Sequence, residues 1–138
     1  MENSKVLKII LFFLGLPLIV FGTWRLTMPI SFYDFSGLIL GSDVGGLSEA
    51  RGAGGMILVA GILILLGAFS AKLRFTSTVL VILVFLSFGF ARLLGIAIDG
   101  MPGEMLIQGI IGEFVMGSIG VFAFLKYRKK EPVNDFLR

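Results

Sequence analysis

The chain has 138 residues, of which 57% are apolar and 15% charged, and its mean hydropathy is +1.00. No soluble domain of this size covers so much apolar surface with so little polar surface, so the composition reads as an integral membrane protein. The net charge of +3 and pI near 9.5 do not imply nucleic acid, because the basic residues sit beside the ends of apolar stretches, as topology signals do. Cysteine and histidine are absent, which removes disulfides, zinc, iron-sulfur centres, histidine-ligated haem and histidine acid/base catalysis. No cofactor is implied.

Spanning the hydrocarbon takes about 20 residues at roughly 1.5 Å rise each. Four segments qualify: Val6 to Thr27, Ala50 to Phe69, Phe75 to Ile98 and Met105 to Leu125. The first follows Lys5 and resembles a signal peptide, but it is too long for an h-region and no small-x-small cleavage site closes it. It reads as a retained span. The connections are a long one around Met28 to Glu49, a short turn over Ser70 to Arg74, and the tight link Asp99 to Glu104, whose Gly and Pro favour a sharp reversal. The expectation is an all-α membrane protein: one domain over residues 1-138 forming an antiparallel bundle of four transmembrane helices.

Lys5, Lys8, Lys72, Arg74, Lys126, Arg128, Lys129, Lys130 and Arg138 all fall on the side containing both termini. The opposite side carries Arg25, Arg51 and Arg92 against Asp34, Asp43, Glu49, Asp99, Glu104 and Glu113. By the positive-inside rule both termini are cytoplasmic, in a bacterial inner membrane. Trp24 and Tyr127 suit the two interfacial belts. The connection Met28 to Leu38 is too apolar for a freely solvated loop and reads as an interfacial segment or lid. Lys126 to Lys130 reads as a stop-transfer anchor, with recognition of anionic lipid as the alternative.

Charges inside spans are costly unless paired, hydrated or facing protein, so the polar residues near the outer ends of the spans are the candidate site. On the fourth span a rotation of about 100° per residue groups Gly109, Gly112, Glu113, Met116, Gly117 and Gly120, and places Ile110 on the other face. Glu113 then points into the bundle, roughly 12 Å below the outer surface. On the third span Phe85, Phe88, Gly89, Arg92, Gly95, Ile96 and Asp99 share a face, with Arg92 roughly 10 Å deep. An Arg92 to Glu113 pair, gripped bidentately, follows from the matching depths. Asp99 reads as an interfacial cap or a second, water-mediated partner.

The second span offers a small-residue stripe of Glu49, Gly52, Ala53, Met56, Ala60, Leu63 and Gly67, with Arg51 projecting to nearly the opposite side. The glycines at 52, 54 and 55 favour an irregular or widened first turn. They do not form a phosphate loop, lacking both the Lys-Ser/Thr ending and a preceding strand. On the first span Gly15, Leu18, Gly22 and Arg25 share a face, with a kink expected at Pro17. The inner half of the bundle carries no comparable polar group, which argues for an outward-facing pocket closed from below by apolar packing. The methionines and the run Phe85, Phe88 and Phe90 read as packing and lipid contact.

Glu49-Ala50-Arg51-Gly52, Gly54-Gly55, Phe88-Gly89-Phe90-Ala91-Arg92-Leu93, Asp99-Gly100-Met101-Pro102 and Glu113 together resemble the small four-helix membrane proteins of domain-of-unknown-function family 4345, which look like the DoxX-like membrane proteins. The resemblance covers about Val6 to Leu125 and implies fold and membrane location. It brings no catalytic residue with it.

Three functions fit these residues. In the first, Arg92, Glu113, Glu49, Arg51, Asp99 and Arg25 form a ligand-binding cluster that holds or moves a small amphipathic or anionic molecule such as a lipid or quinone. In the second, the charges only fix helix packing in an accessory subunit of a membrane complex. An enzyme is the third, and it lacks a visible nucleophile-base pair or metal-ligand set. The partners these readings call on are membrane lipid, the amphipathic molecule, and a second copy or a membrane-complex partner.

Overall fold

The computed structural model describes residues 1-128. Lys129, Lys130 and Arg138, counted above as topology signals, lie outside the described residues. Five helices follow one another: α1 (Lys5–Thr27), α2 (Pro29–Phe35), α3 (Val44–Phe69), α4 (Arg74–Asp99) and α5 (Glu104–Tyr127). Helices α1, α3, α4 and α5 are each long and apolar enough to cross a membrane, and the chain is a multi-pass membrane protein. Glu2 N–H donates to the Tyr127 carbonyl at 3.0 Å, so both ends of the described chain meet at one end of the bundle, the terminal end. The other is the distal end.

Local chemistry fixes the helix limits. Pro29 stands at the start of α2, where its missing N–H removes a donor that would have no intrahelical partner. The Asp43 side chain accepts from Gly46 N–H at 2.7 Å, an N-cap that starts α3 at Val44, six residues before the expected Ala50. Gly100, at φ 97°, ends α4 in a conformation that side-chain-bearing residues rarely adopt. Pro17 sits inside α1. The expected irregular first turn of the second span is not found: α3 is helical from Val44 to Phe69.

The helices associate as two pairs, α1 with α3 and α4 with α5. In the first pair backbone meets backbone. A Cβ at Gly22 would fall 2.5 Å from Leu58 N, one at Gly54 2.6 Å from Leu26 N, and those at Gly15 and Gly61 2.8 Å from Leu65 N and Ile19 N. Gly15 with Gly22 and Gly54 with Gly61 are each seven residues apart, two helical turns, so the two glycine rows interlock along antiparallel axes. The buried face of α3 is consequently Ala50, Gly54, Ile57, Gly61, Ile64, Gly67 and Ala68. This corrects the expected stripe, which lies about 100° away except at Gly67: Gly52 has open space around it and Met56 is exposed.

In the second pair glycines face side chains. Gly89 packs on the Phe114 ring, Gly117 on Leu86, and Gly120 on Val81. Ile110, expected on the outer face of α5, is buried, whereas Gly112 has open space around it. The pairs join at the terminal end, where Gly67 meets the Ser77 side chain and Ser77 Oγ donates to the Leu63 carbonyl at 2.6 Å.

The main apolar cluster includes Leu7, Leu11, Leu14, Ile64, Val81, Phe85, Ala123 and Tyr127 in the terminal halves of their helices and reaches mid-bundle at Leu18 and Ile57. Tyr127, expected in an interfacial belt, is 5% exposed and belongs to this core. Arg74 also departs from expectation. Counted as a turn residue, it opens α4 at 3% exposure, with Nη1 donating to Asn3 Oδ1 at 3.1 Å and Nε to the Gly67 carbonyl at 3.4 Å. The terminal half therefore does hold a buried polar group, tied to neutral acceptors.

Candidate functional site

A cavity of about 510 Å³ lies at the distal end, between α1 and α2 on one side and α4 and α5 on the other. Its polar groups are Arg25, Tyr33, Ser36, Arg92 and Asp99; Phe32, Phe88, Ile96, Leu106 and Ile110 supply most of the apolar wall. The cavity exists because the two pairs share their core at the other end. Gly95, facing it, has no atom nearer to an added Cβ than Asp99 Oδ2 at 4.0 Å.

Arg25 is held from three directions. Its Nε donates to the Ala50 carbonyl at 3.2 Å, its Nη2 donates to the Tyr33 hydroxyl at 2.7 Å, and its guanidinium carbon lies 5.2 Å from the Tyr33 ring centre and 5.9 Å from that of Phe32. These contacts bring α2 over the cavity. Trp24 completes the seat, with Nε1 donating to Ser31 Oγ at 3.3 Å and its ring 5.7 Å from Phe32 and 5.1 Å from Phe35. The apolar connection is thus a short helix packed on α1 and α3.

Arg92 Nη1 and Glu113 Oε1 are 3.0 Å apart, the pair expected from their depths. Contact is through one oxygen, where a bidentate grip was expected: Glu113 Oε2 is buried with no hydrogen-bond partner among the described residues. A Cβ at Gly109 would lie 2.9 Å from Arg92 Nη1, so that glycine makes room for the guanidinium. Arg92 also lies over Phe88, at 5.8 Å. Its side chain is 35% exposed against 15% for Glu113. Arg92 faces the cavity and Glu113 backs it.

The remaining expected residues separate. Asp99, exposed at the last position of α4, lines the cavity rim. Arg51 does not: its Nη1 donates to the Leu26 and Thr27 carbonyls at 2.6 and 3.2 Å, capping the C-terminus of α1 and complementing its dipole. Glu49 is exposed, away from the cavity. The cause is the α3 register, since Ala50 between them is buried and a neighbour on either side is rotated by about 100°. Sequence reasoning missed Tyr33, Ser36 and Ile110. Tyr33 carried a signal, in that the connection read as a lid placed its one tyrosine eight residues after Arg25.

Three carboxylate-bearing or arginine side chains of the expected cluster therefore line one cavity, Arg25, Arg92 and Asp99, with Glu113 directly behind. The described residues contain no group of three or more His, Cys, Asp or Glu placed to hold a metal ion. The arrangement can bind a polar group against guanidiniums with an apolar group beside it.

Searches among curated proteins and among solved structures return no match. A family model matches over residues 6–124, nearly the whole chain, and carries the description Domain of unknown function (DUF4345). With its four spanning helices and this match, the chain belongs to the DUF4345 family.

Proposed function

We propose that the distal cavity binds, and hands on or moves, a small amphipathic molecule such as a lipid or quinone. The observation that carries this reading is the mixed wall of the cavity: Arg25, Tyr33, Arg92 and Asp99 line it together with Phe88, Ile96, Leu106 and Ile110. Its size falls within the range of roughly 300 to 1,000 Å³ usual for ligand sites. The core at the terminal end closes the bundle below, which favours a pocket over a continuous pore. The wider reading places the protein in a bacterial inner membrane with cytoplasmic termini, the cavity facing outward, on the asymmetry of lysine and arginine, and among DoxX-like proteins.

Ligand-induced thermal stabilisation in nanodiscs tests the reading. Gly95→Leu projects a side chain into open space facing the cavity and replaces a helical glycine near the end of α4, so it keeps or raises stability while abolishing the ligand response. An undiminished response in Gly95→Leu contradicts the reading.

A second reading, that these charges only fix packing in a subunit of a membrane complex, is favoured by the Arg92 and Glu113 pair closing on itself. It requires that Arg92→Gln and Glu113→Gln each destabilise the fold, that the double change recover part of the loss, and that no amphiphile stabilise the wild type.

A further inference from the structure

The two arginines of the cavity are not equivalent. Arg92 has its carboxylate in Glu113, whereas Arg25 meets no carboxylate within ion-pair distance among the described residues; its acceptors are a backbone carbonyl and a phenolic oxygen. Both of these are neutral, so the guanidinium charge is held in place without being matched. Its Nη1 makes no hydrogen bond to a described residue, and Arg25 lines the cavity. Tyr33 accepts from Arg25 through its oxygen, which leaves its own O–H to donate into the same space. One fixed cation and two donors, on α1 and α2, thus converge at one edge of an otherwise largely apolar cavity.

Resting on the reading of the cavity as an amphiphile site, we propose that its ligand carries an oxyanion head, a carboxylate or a phosphate, seated between Arg25 and Tyr33, with its hydrocarbon part along Phe88, Ile96 and Ile110. Arg25 and Tyr33 read the head and Arg92 with Glu113 forms the facing wall. The site therefore prefers anionic over neutral or cationic amphiphiles of equal chain length, because only an oxyanion head adds an opposite charge to the hydrogen bond from Arg25 in a partly desolvated setting.

The full chain in nanodiscs of zwitterionic lipid is titrated with dodecanoate, dodecyl phosphate, monododecanoylglycerol and dodecyltrimethylammonium, and with inorganic phosphate as a head without a tail. Binding is read from the fluorescence of the chain's single tryptophan, Trp24, which packs on Phe32 and Phe35 of α2. The expected result is affinity for one or both anionic probes roughly tenfold or more above that for the neutral probe, and no saturable binding of inorganic phosphate at matched concentration. Whichever anion is preferred names the head. Arg25→Gln brings the preference to within about twofold, Tyr33→Phe lowers it several-fold, and Arg25→Lys, which keeps the charge, retains part of it.

Equal affinity for neutral and anionic probes overturns the oxyanion assignment and leaves the amphiphile site standing. A preference that survives Arg25→Gln and disappears in Arg92→Gln also overturns it, moving the head to the opposite wall. Binding of inorganic phosphate as tight as that of the long-chain anions removes the amphiphile. Failure of every probe to bind overturns the oxyanion assignment together with the cavity reading on which it rests.

Discussion

The two ends of this bundle each hold arginine close to protein, and they treat it differently. At the terminal end Arg74 is 3% exposed and spent on neutral acceptors, Asn3 and Gly67, within the main apolar cluster. At the distal end Arg25 and Arg92 face a cavity of about 510 Å³. The difference follows from helix pairing. Interlocked glycines hold α1 and α3 along much of their length, but the core shared by the α1/α3 and α4/α5 pairs runs from the terminal end, where Leu7, Leu11, Ile64, Val81 and Ala123 meet, to the middle of the bundle at Leu18, Ile57 and Phe85. A clasp is built at one end of the molecule and a pocket at the other.

The largest effect is expected where that scaffold is tightest. Gly61→Leu puts a Cβ at 2.8 Å from Ile19 N, and since backbone cannot step aside cheaply it is expected to cost about 3 kcal/mol, measured as unfolding free energy in mild detergent. Next comes the terminal clasp: Arg74→Met leaves Asn3 Oδ1 without its donor and is expected to cost about 2 kcal/mol. If Arg74→Met proved neutral while Arg25→Gln unfolded the protein, the assignment of structure to one end and binding to the other would be reversed.

A double-mutant cycle on Arg92→Gln and Glu113→Gln is expected to give a coupling of about 1 kcal/mol, modest because Arg92 is partly exposed and the contact uses one oxygen. Arg51→Ala, which removes the cap on α1, is expected to cost about 0.5 kcal/mol. Neither change alters the terminal core, so both sharpen the contrast between the ends.

Span number, the span limits other than the start of α3, and the Arg92 to Glu113 pair were legible in the sequence because hydropathy and helical period act locally. The face of α3 was not. Five glycines crowd its first half, Gly45, Gly46, Gly52, Gly54 and Gly55, and composition alone does not tell those that admit a neighbouring backbone from those facing outward. The partner decides: Gly54 and Gly61 match Gly15 and Gly22 on α1. Once that register is set, Glu49 and Arg51 leave the cavity together, whatever their charge implied. Arg74 was hidden because a basic residue at a span end is the ordinary signature of topology, and burial depends on Asn3, which lies 71 positions away. Tyr33 and Ser36 entered the site only through tertiary packing of α2.

The central claim is that the distal cavity is a place for a ligand and more than a by-product of packing. Its most direct test compares wild type with Gly95→Leu in the dodecanoate and monododecanoylglycerol titrations, alongside the unfolding free energy of each protein. Saturable binding in the wild type that disappears in Gly95→Leu, with stability equal or higher, is the expected result. Binding unchanged by the filled cavity, or absent from both proteins, would contradict it.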